Sequence, residues 1–160
     1  MGKKIFIWAA GIILLFIVLF FAFGSNEVSS FEAIENFNGE INIYSSGGCG
    51  CCGVYSNYFQ GRGKHNAKFV NLDTLNTLKR QYGVPSQLES CHTTIIGDYF
   101  VEGHIPLEAV EKLLTEKPDI KGIAMPGMPP GSPGMTGAKK EAFVIYAVNR
   151  DGSYEEFMRI

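Results

Sequence analysis

Three cysteines occupy four positions in GGCGCCG, residues 47–53, with glycine on both sides. A disulfide uses only two of these sulfurs. The adjacent pair Cys51 and Cys52 is badly placed for one, because a bridge needs well-separated Cα atoms and converging Cβ vectors. The stretch is therefore suited to redox chemistry, to metal binding, or to both. Its flanks limit where it can sit. Glu40–Ser45 (EINIYS) alternates as a strand, and Val54–Phe59 has the spacing of a helix that turns Val54, Tyr55, Tyr58 and Phe59 largely inward. The cysteines then lie at a helix N-terminus, where unpaired N–H groups and the macrodipole stabilise thiolates. Cys49 and Cys52 have C-x-x-C spacing, filled here by Gly50 and Cys51. Disulfide exchange needs two sulfurs, whereas a soft-metal site gains from a third.

The remaining elements form an ordered series. Ala67–Leu72 (AKFVNL) reads as a second strand, and Asp73 as the N-cap of a helix from Thr74 to about Tyr82, ended by Gly83 and Pro85. His92–Ile96 and Tyr99–Glu102 form a hairpin around Gly97-Asp98. Pro106 opens a helix with Leu107, Val110, Leu113 and Leu114 on one face and a Glu108–Lys112 pair, closed at Lys117-Pro118. Ala142–Asn149 and Tyr154–Met158 read as a last hairpin around Asp151-Gly152. The order β-α-β-α-β-β-α over residues 40–118 describes an α/β, thioredoxin-like topology, with residues 119–160 as a C-terminal extension. In that topology the loop before the third strand meets the C-x-x-C turn, usually through a cis-proline. Here Ser90-Cys91-His92 takes its place, so Cys91 brings a fourth sulfur towards the other three.

The N-terminal 24 residues stand apart. Ile5–Phe23 (IFIWAAGIILLFIVLFFAF) is 19 residues without a charge, close to the ~20 needed to span a bilayer as one helix. It exceeds the apolar region of a cleaved signal peptide, although Ala22-Phe23-Gly24 is a tolerable cleavage site. An uncleaved single-pass anchor in the cytoplasmic membrane is the expectation, with Lys3 and Lys4 kept inside and residues 25–39 as a linker or short helix. The rest of the chain is then outside the cytoplasm, where thiols usually end as disulfides. Two of the 14 basic residues precede the run, leaving 12 against 16 acidic ones beyond it. No basic patch points to nucleic acid, and Lys139-Lys140 reads as a solvated turn.

Spaced motifs then identify a resemblance. CGCC at 49–52, GVP at 83–85, SCHT at 90–93, EGHIP at 102–106 and PGMPPGSPGM at 126–135 resemble, in this order, the CopG family of exported copper-resistance proteins. The likeness runs from about Ile41 to Phe157. It implies a thioredoxin-like domain with a C-terminal extension, a copper cluster bridged by cysteine sulfurs, and a proposed role in interconverting Cu(I) and Cu(II). Departures are small: Tyr55 stands where relatives often carry Trp, Gly47-Gly48 replaces a Pro-containing lead-in, and Thr136 follows Gly-Met where an acid is common.

The chemistry of the residues agrees with copper. Cu(I) is soft and favours thiolate and thioether in low coordination numbers, which a crowded CGCC turn supplies. Zinc prefers four separate tetrahedral ligands, which adjacent Cys51 and Cys52 suit less well. Bridging Cys49, Cys51, Cys52 and Cys91 can hold more than one ion per chain. His104 joins this set through the EGHIP resemblance, and Met128 and Met135 through the Met/Pro/Gly-rich extension. His92, facing away from Cys91 along the strand, is expected either as a ligand or as a hydrogen-bonding support, Met125 as a support nearby, and His65 as a solvated residue. The functional expectation is a membrane-tethered copper-homeostasis protein, with a copper-linked oxidoreductase activity left open. Two alternatives stand beside it: a thiol–disulfide oxidoreductase using Cys49 and Cys52, and a copper chaperone or storage protein serving an efflux system.

Overall fold

Alternation of apolar and polar residues is what builds the sheet, and it is visible first in Ile41–Ser46 (β1), where Ile41, Ile43 and Ser45 are buried. The computed structural model describes residues 31–160. The apolar run 5–23 lies outside them, and among the described residues no helix is long and apolar enough to cross a membrane. The part of the expected linker that is described forms a short helix, α1 (Glu32–Glu35), and packs Phe31 and Ile34 into the core.

After β1 come α2 (Gly50–Arg62), β2 (Lys68–Leu72), α3 (Leu75–Tyr82), a 3-10 turn at Ser86–Leu88, β3 (His92–Ile96), β4 (Tyr99–Glu102) and α4 (Leu107–Glu116). The chain ends with β5 (Ile120–Ala124), β6 (Val144–Asn149) and β7 (Tyr154–Arg159). The fold is mixed α/β. One seven-stranded sheet has the order β2-β1-β3-β4-β5-β6-β7. β1 runs parallel to β2 and β4 parallel to β5, while the other neighbours are antiparallel.

Both faces of the sheet are covered, as central strands buried on two sides require. Tyr55 and Phe59 of α2 and Leu107, Val110 and Leu113 of α4 join Ile43, Ile96, Val101 and Ile123 in the main core. Val84 and Leu88 join Ile95, Phe100, Ala124 and Val148 in a smaller one. Successive residues such as Ile95 and Ile96 divide between the two clusters because side chains alternate across a strand.

Several local expectations are corrected. α2 begins at Gly50, four residues before the predicted start, and its buried face carries Tyr55 and Phe59. Val54, about 100° round the helix from Tyr55, is 53% exposed. Thr74, not Asp73, occupies the N-cap of α3, and its side chain makes no capping bond. Pro106 sits at the N-cap of α4 rather than inside its first turn. Lys112 pairs with Glu116 one turn onward instead of with Glu108. The strand β5 was absent from the predicted order. It makes the extension continuous with the sheet, so the final hairpin is its far edge.

Candidate metal centre

The site starts where β1 ends. Ser46 leads into Gly47 and Gly48, and Gly48 takes φ +86°, a left-handed conformation that glycine adopts without steric cost. That turn delivers Cys49 to the N-cap of α2, with Cys51 and Cys52 in the first turn. Cys49 and Cys52 are joined by a disulfide, with Cα atoms 5.4 Å apart. Cys51 and Cys91 are free thiols. Cys51 Sγ lies 3.5 Å from Cys49 Sγ, and of that pair only Cys51 is outside the disulfide. Cys52 is fully buried, its sulfur 3.6 Å from the Cys91 carbonyl oxygen.

Cys91 arrives from the other side of β1. Ser45 pairs with His92 in the β1–β3 ladder, which places the residue before β3 opposite the start of α2. All four cysteine sulfurs lie within 4.8 Å of one another. The expected convergence from two separate segments is therefore present as geometry. His92 departs from expectation. Cys91 sits in a bend before the first ladder residue, so strand alternation does not separate the two side chains. His92 Nδ1 lies 3.4 Å from Cys91 Sγ.

His104 reaches the same sulfur from the β4–α4 connection, with Nε2 3.0 Å from Cys91 Sγ. Its Nδ1 is 2.7 Å from the Pro133 carbonyl oxygen. A carbonyl only accepts, so Nδ1 carries the proton and Nε2 offers its lone pair to Cys91. A metal-ligating histidine is commonly oriented in this way. Cys91, His92 and His104 form a second group of donors within 4.8 Å that shares the Cys91 sulfur. His92 Nε2 is buried and has no hydrogen-bond partner among the described residues.

Burial keeps this pocket uncharged in the absence of metal. It pushes the Cys91 thiol up to about 12, with the neighbouring Cys51 adding to the effect. It holds His92 well below the ordinary imidazole value, assisted by His104 and Lys79. His104 is also lowered by burial, and the Pro133 carbonyl partly opposes this. Tyr55 forms the floor, its ring centroid 4.3 Å from that of His92 and 5.6 Å from that of His104. Its hydroxyl donates to the Ile105 carbonyl at 3.0 Å.

The proline- and glycine-rich loop docks on this centre through backbone. Gly134 takes φ +83°, and a Cβ there would lie 2.8 Å from Tyr55 N and 3.2 Å from the Cys51 carbonyl oxygen. Close approach to α2 therefore requires glycine. Ser90 Oγ donates to the Gly127 carbonyl at 2.5 Å, which ties the other end of the loop to the cysteine segment. The methionines divide among three environments. Met125 is buried in the core, Met135 is half-buried immediately after Gly134, and Met128 is 49% exposed. Exposure of Met128 sets it apart from the enclosed sulfurs. His65 is exposed.

Three contributors carried little sequence signal. The Pro133 carbonyl that orients His104 is a backbone atom 29 residues away. Lys79 and Glu102 form an ion pair at 2% and 0% side-chain exposure. The pair touches Ser90, next to Cys91. Glu102 lies inside EGHIP, and Lys79 falls one turn after the buried Leu75 on the apolar face of α3, which is the one visible hint.

Comparison with known proteins follows the same residues. The family model described as "Protein of unknown function, DUF411" matches residues 88–135, from just before Cys91 to Met135. No curated protein matches the chain. A solved structure named "Copper resistance protein copG- Form 2" is 32% identical, with TM-score 0.67, and the match covers 76% of this chain and 97% of that one. A second, "Copper resistance protein copG- Form 1", is 32% identical with TM-score 0.66, covering 76% and 96%.

Proposed function

The chain belongs to the CopG family of copper resistance proteins, and from that premise we propose that it binds copper at Cys49, Cys51, Cys52 and Cys91. The observation that carries this reading is the gathering of four sulfurs from two segments within 4.8 Å. The donor set fits a soft ion: thiolates on one side of Cys91, and an imidazole lone pair already aimed at it on the other. Copper held there supplies one-electron chemistry between Cu(I) and Cu(II).

The protein's own groups do the rest. The Cys49–Cys52 disulfide is the closed form of the site, and two electrons convert it to two thiolates. Cys91 bridges the sulfur side and the imidazole side, which allows more than one ion per chain. Tyr55 and the loop through Pro133 and Gly134 limit water access. Met135, beside that docking point, is a candidate thioether ligand, while Met128 on the surface suits capture or release. The first four strands and their helices form a thioredoxin-like core in this reading. Residues 5–23 tether it to the cytoplasmic membrane from outside, within reach of a copper efflux system.

One observation favours a second reading, thiol–disulfide exchange: Cys49 and Cys52 are bonded at a helix N-terminus. Two measurements separate them. After anaerobic reduction, the proposed function predicts more than one Cu(I) retained per chain and slow reduction of insulin disulfides. Rapid insulin reduction without retained copper would replace it with the second reading.

A further inference from the structure

Lys79 and Glu102 are the buried charged residues nearest the cysteine centre that the proposed copper site leaves without a role. Their contacts are unusually complete. Lys79 Nζ donates to the Ser90 carbonyl at 3.1 Å, to Thr93 Oγ1 at 3.2 Å, and to Glu102 Oε1. An ammonium has three protons, so each has an acceptor. Glu102 Oε1 also accepts from the Ser90 amide at 2.6 Å, and its Oε2 accepts from the Thr93 hydroxyl at 2.6 Å. The result is a closed network that grips Ser90 by both its N–H and its C=O.

A buried ion pair is seldom better for stability than apolar side chains of the same volume. What this pair supplies that an apolar pair cannot is an acceptor for the N–H and a donor for the C=O of one backbone unit, the residue Ser90, at once. That unit precedes Cys91, and Thr93, the network's third member, follows His92. The bend that turns both Cys91 and His92 towards the centre is thus clamped on each side. Gly103 completes the fit: its φ is +87°, and a Cβ there would lie 2.8 Å from Ser90 Oγ and 2.6 Å from the Met125 carbonyl.

We infer that Lys79 and Glu102 are positioning residues for the Cys91 sulfur, holding the Ser90–Cys91 bend in the one conformation that places this thiol against Cys51, Cys52 and His104. The consequence for copper rests on the function proposed above, while the positioning itself is testable without metal.

The experiment uses the full chain in two forms. In the metal-free protein with the Cys49–Cys52 disulfide intact, iodoacetamide alkylation is followed by peptide mass at Cys91 and at Cys51, which lies on α2 and serves as internal reference. In Lys79→Met/Glu102→Leu the Cys91-to-Cys51 rate ratio is expected to rise about tenfold, the scale set by losing a hydrogen bond to a charged group. Glu102→Gln keeps an acceptor for the Ser90 amide and is expected to give a smaller rise. General loosening of the fold would instead raise both rates together and leave the ratio unchanged.

In the reduced, copper-loaded protein the double variant is expected to retain only as many ions as Cys91→Ser. A folded double variant with the unmodified ratio and copper content overturns the inference. If the double variant does not fold, Glu102→Gln decides: an unchanged ratio overturns it and a raised ratio supports it. If the unmodified protein holds no copper while the ratio still rises, positioning stands and the copper reading falls.

Discussion

Gly134→Ala tests whether the proline- and glycine-rich loop is a built part of the centre. Two costs are legible in the structure. The first is backbone strain, because φ +83° places an alanine Cβ in a region that L-residues avoid, at roughly 1–2 kcal/mol. The second is overlap. The added Cβ would lie 2.8 Å from Tyr55 N and 3.1 Å from its Cα. Both are helix backbone and cannot swing aside, so the loop must lift, at about 1–3 kcal/mol by analogy with overpacked cores. Gly127→Ala is the control, with φ +72° and nothing within 4 Å of the added Cβ. It carries the strain alone. Denaturant midpoints at constant slope should therefore place Gly134→Ala about 1–3 kcal/mol below Gly127→Ala. Lifting the loop also withdraws the Pro133 carbonyl from His104 Nδ1. The imidazole 15N shifts of His104 should then move towards a mixture of tautomers in Gly134→Ala only. Equal stability of the two variants, with His104 unchanged in both, would refute the docking argument.

Tyr55→Phe removes the hydroxyl that donates to Ile105 at 3.0 Å but keeps the ring against His92. It should cost about 1–2 kcal/mol in unfolding while leaving copper content unchanged, and lost copper at full stability would contradict that division. Stability of the metal-free protein should fall as pH drops below the ordinary imidazole value of 6.5. His92 and His104 are both lowered in the fold, so the unfolded chain takes up protons first, and denaturation at pH 7.5 and 5.5 checks it. A pH-independent midpoint would show that the two rings are accessible. With residues 5–23 as an anchor, the expressed chain should sediment with membranes and resist alkaline wash, whereas a soluble product starting near Ser25 would mark a cleaved leader.

The sequence made most of the frame legible where one periodic signal dominated. β3, β4 and the last hairpin stand out by composition and turn residues, and their predicted bounds differ from the observed ones by two residues at most. The approach of Cys91 to CGCC was also readable, from the order of elements that brings the loop before the third strand to the C-x-x-C turn, and the pairing of β3 beside β1 delivers it. β5 escaped notice because IKGIA is short, follows a proline and contains a glycine where strands are usually β-branched. Val54 departs from expectation because a run of apolar residues hides which one of two neighbours faces inward. The direction His92 faces differs from expectation because strand alternation does not extend to Cys91, one residue beyond the ladder. The Lys79–Glu102 clamp and the Pro133–His104 bond join residues 23 and 29 positions apart, and no local pattern encodes such pairings.

The central claim is that one copper site is assembled from two segments, with Cys91 shared between them. Copper per folded chain in Cys91→Ser, measured beside Cys49→Ser and the unmodified protein after anaerobic reduction, tests it most directly. Fold should survive, because Cys91 is only half-buried and a hydroxyl can still donate to His104 Nε2. Since ions held by bridging sulfurs depend on common ligands, the account predicts that Cys91→Ser loses more than one ion and changes the shape of the thiolate-to-copper absorption. Unchanged copper content and absorption in the folded Cys91→Ser protein would contradict it.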